Sequence, residues 1–158
     1  MKKSLTIFLR IVIVLVGLGV AALLLWEPHT EGVNAHKAFF QVYLDPFIVL
    51  VYAGSIPFFI GVYQAFKALG YAEQNKIFSL SAVRALRIIR YCALTIIGFV
   101  AAEEVFIMLN HGSDDAAGGI AMGIFITLGS IIVAAVASVF ERILQKGVNI
   151  KSENDLTI

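Results

Sequence analysis

Hydrophobic residues along this chain fall into four long blocks, at residues 7–26, 47–69, 88–109 and 117–144, and do not alternate with polar ones as in a half-buried strand or a soluble amphipathic helix. The first block reads IFLRIVIVLVGLGVAALLLW. Twenty helical residues rise about 30 Å, the thickness of a bilayer's hydrocarbon core, and each block reaches that length. The pattern therefore predicts an all-α integral membrane bundle of four transmembrane helices, forming a single membrane domain over residues 1–158. Short polar connections separate the blocks, and no internal repeat or low-complexity tract is visible.

Composition agrees. Of the 158 residues 59% are hydrophobic and only 15% charged, against about 25% charged in an ordinary soluble domain. The single Cys92 rules out a disulfide framework within the chain. Lys2 and Lys3 precede the first block as in a signal peptide. Its apolar run is too long for one, however, and WEPHTEG follows where small residues would mark cleavage, so a retained first helix is expected.

Charge adds orientation. Lys2, Lys3, Arg10, Lys67, Lys76, Arg84, Arg87, Arg90, Arg142, Lys146 and Lys151 fall on one side of the four-helix arrangement and only Lys37 on the other. The positive-inside rule then places both termini and the central loop in the cytoplasm, with residues 27–45 and 110–115 outside.

Small residues in the fourth block suggest how it packs, because they let helix backbones approach closely. Gly119 and Gly123 form a G-x-x-x-G pair that Thr127 continues, and Ser130, Ala134 and Ser138 repeat the spacing one row over. This face serves either the chain's own helices or a second copy in a homo-oligomer. In the second block, Gly54, Ser55, Pro57 and Gly61 predict a kink near Pro57, which removes a backbone hydrogen bond.

Arg10, Glu103 and Glu104 are the charged residues that need an account inside the apolar blocks. Arg10 lies one turn into the first helix, where it either snorkels to the headgroups or pairs with Glu141 at the same depth, tying helices one and four. Glu103 and Glu104 stand side by side in FVAAEEVFIML. An ionised carboxylate facing lipid costs about 2.5 kcal/mol or more, so each needs a proton, a hydrogen bond or water. Neighbours on a helix point about 100° apart and cannot share one environment. Glu103 lies nearer the small-residue stripe of Thr95, Gly98 and Ala102, and is the expected interior carboxylate. Tyr52 and Ser55 lie at comparable depth as donors. Glu104 leans toward His111 and the outer loop.

No metal or cofactor is expected. His29, His36 and His111 share the outer side with Glu27, Glu31, Asp114 and Asp115, but without a fixed-spacing metal motif. No nucleophile and base stand at usable spacing, so the sequence points away from an enzyme.

The cytoplasmic segments hold the remaining chemistry. In KIFSLSAVRALRIIRY, Ser79 or Ser81 can cap a helix whose residues 79–90 are amphipathic, with Arg84, Arg87 and Arg90 on one face. Such a helix lies on anionic lipid or docks an acidic partner; direct nucleic-acid binding is disfavoured because no aromatic stacking platform accompanies the arginines. The tail over residues 145–158 is expected to break from the fourth helix at Gly147 and to be solvated, exposing Glu153, Asn154 and Asp155.

Residues 78–87 and the closing ENDLTI resemble those of the bacterial YoaS-like membrane proteins, a family labelled a domain of unknown function. The resemblance implies a four-helix inner-membrane protein, often encoded beside a small Cro-type helix-turn-helix regulator, and supplies no catalytic residues. The expected function is therefore non-enzymatic, with the cytoplasmic loop and tail binding that small regulator protein. Two alternatives stand beside it: a small transporter, immunity or sensor protein using Glu103 as a proton or ligand site, and an accessory subunit of a membrane complex.

Overall fold

The computed structural model describes residues 3–26, 39–110 and 116–155, and among these every regular element is a helix. The elements are α1 (Lys3–Trp26), the single turn α2 (Phe39–Val42), α3 (Pro46–Glu73), α4 (Leu80–Asn110) and α5 (Ala116–Asp155). All but α2 are long and apolar enough to cross a membrane, as the four blocks predict.

Local chemistry sets the helix ends. Asp45 caps α3 by accepting from the Phe47 N–H at 3.0 Å, and Pro46 occupies the first helical position, where its missing N–H costs nothing. At the other end Asn75 takes a left-handed φ of 56°, and the Lys76 N–H reaches back to the Tyr71 carbonyl at 2.8 Å. This closing turn satisfies carbonyls that would otherwise face no donor. Ser79 caps α4 by accepting from the Ala82 N–H at 3.3 Å. Helix α3 runs on through Pro57.

The long helices pack antiparallel in chain order, as a row. Helix α1 touches α3 through Arg10 against Glu73, Gly17 against Val62, and the Leu24 carbonyl against the Tyr52 hydroxyl. Phe47 stacks on Phe106 and Gly61 faces Cys92 between α3 and α4. Gly119 faces Ile107, and Glu141 meets Arg87, between α4 and α5. The α4–α5 and α3–α4 interfaces are extensive, that of α1 on α3 much thinner.

The thin interface makes each α1 contact matter. The Tyr52 hydroxyl donates to the Leu24 carbonyl at 2.6 Å, so Tyr52→Phe should cost about 0.5–1.5 kcal/mol. A thermal unfolding curve of the detergent-purified chain checks this; an unchanged midpoint would show that the bond adds nothing.

Several expectations are corrected here. The basic segment 79–90 is helical and runs straight into the crossing as the first three turns of α4, but it does not lie free on the surface, since Ala82, Val83 and Ala85 are buried. Once Ser79 caps the helix, nothing in SAVRALRIIRY interrupts it. The fourth helix does not break at Gly147: α5 is continuous to Asp155, supported by a Gln145–Asn149 side-chain bond of 3.0 Å and by Phe78, whose ring lies against Gly147. The stripe of Thr95, Gly98 and Ala102 is exposed, and α4 buries Ala82, Ala85, Cys92, Ala93 and Val100 instead. Of the two uses left open for the G-x-x-x-G pair, packing within the chain is seen, with Gly119 and Gly123 both against α4.

Candidate functional site

Glu103 and Glu104 leave α4 in different directions, each toward a glycine of a neighbouring helix. The Glu103 carboxylate lies over Gly54 of α3, where a Cβ would stand 3.0 Å from its Oε1 and 3.0 Å from the Phe99 Cβ. Glu104 lies over Gly123 of α5, where a Cβ would stand 2.5 Å from Oε1 and 3.1 Å from Cγ. Both glycines are buried and both glutamates half-buried. Counted along their helices, all four residues sit about 9–12 Å inside the ends farthest from the basic residues. Three helices thus contribute to one layer, in which a glycine on each side makes room for a carboxylate.

Among the described residues neither carboxylate has a hydrogen-bond donor or ion-pair partner. The donors expected for Glu103 are engaged elsewhere. Tyr52 bonds to Leu24 and packs at a tilt against Tyr43, ring centres 5.9 Å apart, and the Ser55 hydroxyl donates to the Tyr52 carbonyl at 2.7 Å. Proximity in depth did bring Tyr52 and Ser55 near the layer, but α1 supplies Tyr52 with an acceptor first. Glu104 is corrected too. It points to α5 and not to the outer loop, because Gly123 opens a seat at its level.

A second polar cluster closes the basic end. Glu141, buried on α5, accepts from the Arg87 Nε at 2.7 Å and lies 2.9 Å from the Arg90 Nη1. The expected Arg10–Glu141 pair does not form. Arg10 pairs with Glu73 at 2.8 Å, since α1 packs on α3 while Glu141 belongs to the far edge of the row. Arg87 and Arg90 are therefore partly spent inside the chain, and Arg84 remains exposed.

Beyond that cluster α5 continues. Residues after Gly147 project about 12 Å past the start of α4, and Phe78, Gly147, Ile150, Lys151 and Asn154 line a shallow groove there. Phe78 and Ile150 are exposed, as are Lys146, Lys151, Glu153 and Asn154. Phe78 and Ile150 do not stand out as site residues in the sequence, and Gly147 does so only as an expected helix break. Their one signal is the spacing of residues 147, 150, 151 and 154, which puts them on one helical face once the helix is known to continue. His29, His36, His111, Glu27, Glu31, Asp114, Asp115, the Asp155 side chain and residues 156–158 lie outside the described residues.

Residues 29–158 match the family described as "Protein of unknown function (DUF2975)". The chain belongs to the DUF2975 family. It is also 39% identical over 160 residues, covering all of both chains, to the "Uncharacterized membrane protein YoaS" of Bacillus subtilis (strain 168). No solved structure matches it. The similarity first visible in residues 78–87 and the tail thus extends along the whole chain, and this DUF2975 protein is a multi-pass membrane protein with a helical bundle. Nothing in the DUF2975 description or in the relative's name indicates an enzyme.

Proposed function

We propose that this chain is a non-enzymatic protein of the bacterial inner membrane that docks a small cytoplasmic protein on the projecting end of α5. The observation that carries this reading is the groove of Phe78, Gly147, Ile150, Lys151 and Asn154. It presents the exposed Ile150 on a helix continued beyond the bundle, with the exposed Phe78 of the α3–α4 connection beside it, a geometry suited to receiving a partner helix. Lys151 lines it, and Arg84, Arg142 and Lys146 are exposed at the same end of α4 and α5, so the partner's matching face is acidic. The basic excess at this end supports a cytoplasmic placement. A Cro-type helix-turn-helix regulator, the genomic neighbour implied by the family resemblance, is the candidate partner.

Co-purification tests it. The full-length chain should retain the regulator encoded beside it, whereas Ile150→Asp, or deletion of residues 152–158, should weaken retention at least about tenfold, or roughly 1.4 kcal/mol. Ile150 is exposed, so the folded chain tolerates the change. No association with the unaltered chain would sink the proposal.

The carboxylate layer supports a second reading, a proton or ligand site for transport, immunity or sensing. Its specific support is that two acidic groups inside the span lack donors within the described chain, and intramembrane acids without a structural partner are functional by default.

A further inference from the structure

A second groove opens at the basic end, between α1 and α3, lined by Arg10, Phe66, Lys67, Gly70, Tyr71 and Gln74. Its central group is held in place before any ligand arrives. The Arg10 guanidinium binds Glu73 at 2.8 Å and lies 5.1 Å from the centre of the Phe66 ring. Gly70 leaves it room, since even a Cβ there would stand 3.5 Å from Nη2. About a third of the Arg10 side chain, 32%, stays exposed.

Lys67, Tyr71 and Gln74 follow at spacings of four and three residues and so share one face of α3. The Lys67 Nζ lies 5.4 Å from the centre of the Tyr63 ring, on the exposed surface of α3. The rim therefore offers a guanidinium, an ammonium, a phenol and an amide, all hydrogen-bond donors. Its one acid, Glu73, is committed to Arg10. Toward the bilayer the wall turns apolar: Phe66, Tyr63 and, on α1, Val14 are exposed. The basic end of α1 and α3 is where a spanning helix meets the headgroups.

From this arrangement we infer that the groove is a binding site for one anionic phospholipid, its headgroup phosphate held by Arg10 and Lys67 and an acyl chain laid along the α1–α3 furrow. A diacyl anion suits the groove better than free phosphate because the donors form only one rim of it and the adjoining wall is apolar. The site lies on α1 and α3, apart from the α5 groove, and stands whether or not a protein docks there.

Lipid retention by the purified full-length chain in mild non-ionic detergent, read by native mass spectrometry, tests the site. Dioleoyl-phosphatidylglycerol should be retained at least about fivefold over dioleoyl-phosphatidylcholine, the scale of one basic group acting at a membrane surface. Lys67→Gln and Gln74→Glu should each erase most of that preference. Both spare the Arg10–Glu73 pair, and both positions are solvent-facing or on the exposed face of α3. Arg84→Gln, an exposed arginine on α4, should leave the preference intact. Three results would overturn the inference: no preference in the unaltered chain, an equal loss with Arg84→Gln, or displacement of the lipid by soluble glycerol 3-phosphate at matched concentration, which would mark a free-anion site.

Discussion

Gly123→Ala should destabilise the chain while Gly129→Ala, six residues along the same helix, should not. An alanine normally stiffens the unfolded chain and stabilises a helix by up to about 1 kcal/mol. At Gly129 nothing stands within 4 Å of the new methyl, so that gain is free to appear. At Gly123 the methyl arrives 2.5 Å from the Glu104 Oε1, 3.1 Å from Cγ and 3.2 Å from Cδ. The whole side chain must leave its seat, at a cost of about 1–3 kcal/mol for an overpacked interface. Thermal unfolding in detergent reads the two signs directly.

Rescue makes the test specific. Glu104→Ala placed in the Gly123→Ala chain should recover most of the loss, because the clash is with that one side chain. Gly54→Ala should behave differently. There the methyl meets the Phe99 Cβ at 3.0 Å as well as the Glu103 carboxylate, and a Cβ cannot swing aside, so Glu103→Ala should leave most of the damage in place. Equal shifts at Gly123 and Gly129 would show that Glu104 does not occupy the α4–α5 interface.

The same residues show what the sequence made legible. Four apolar blocks were enough to predict four long helices, because hydrocarbon thickness dictates their length and a helix satisfies its own backbone in lipid. Which face of each helix packs was less legible. Thr95, Gly98 and Ala102 form as good a small-residue stripe as Ala82, Ala85 and Ala93, yet only the latter are buried. Small side chains permit close approach without compelling it. Arg10 had two acids within reach in depth, and the choice between Glu141 and Glu73 depended on helix order in the row, a property of the whole fold. Gly147 likewise read as a stop, but a glycine ends a helix only where nothing packs on it, and here the ring of Phe78 does. The carboxylate layer lay between these cases. Glu103 and Glu104 were conspicuous by charge alone, whereas their seats, Gly54 and Gly123, became meaningful only when α3 and α5 proved to flank α4.

Glu103→Met should stabilise the isolated chain by about 2 kcal/mol, the scale of removing an acidic group from hydrocarbon. Methionine is unbranched, as glutamate is, and follows the same path over Gly54 without needing a donor. None of the described residues supplies one to the carboxylate, so no native hydrogen bond is lost. A stability gain of that size on removing Glu103 is the trade expected of a working site. Glu103→Gln keeps the shape and removes titration, and should therefore abolish any proton- or cation-dependent response of cells expressing the chain while leaving it folded. If the methionine variant instead unfolds earlier than the unaltered chain, the carboxylate is a structural tie between α3 and α4. The reading of this layer as a proton or ligand site then fails, and docking on α5 stands without a rival.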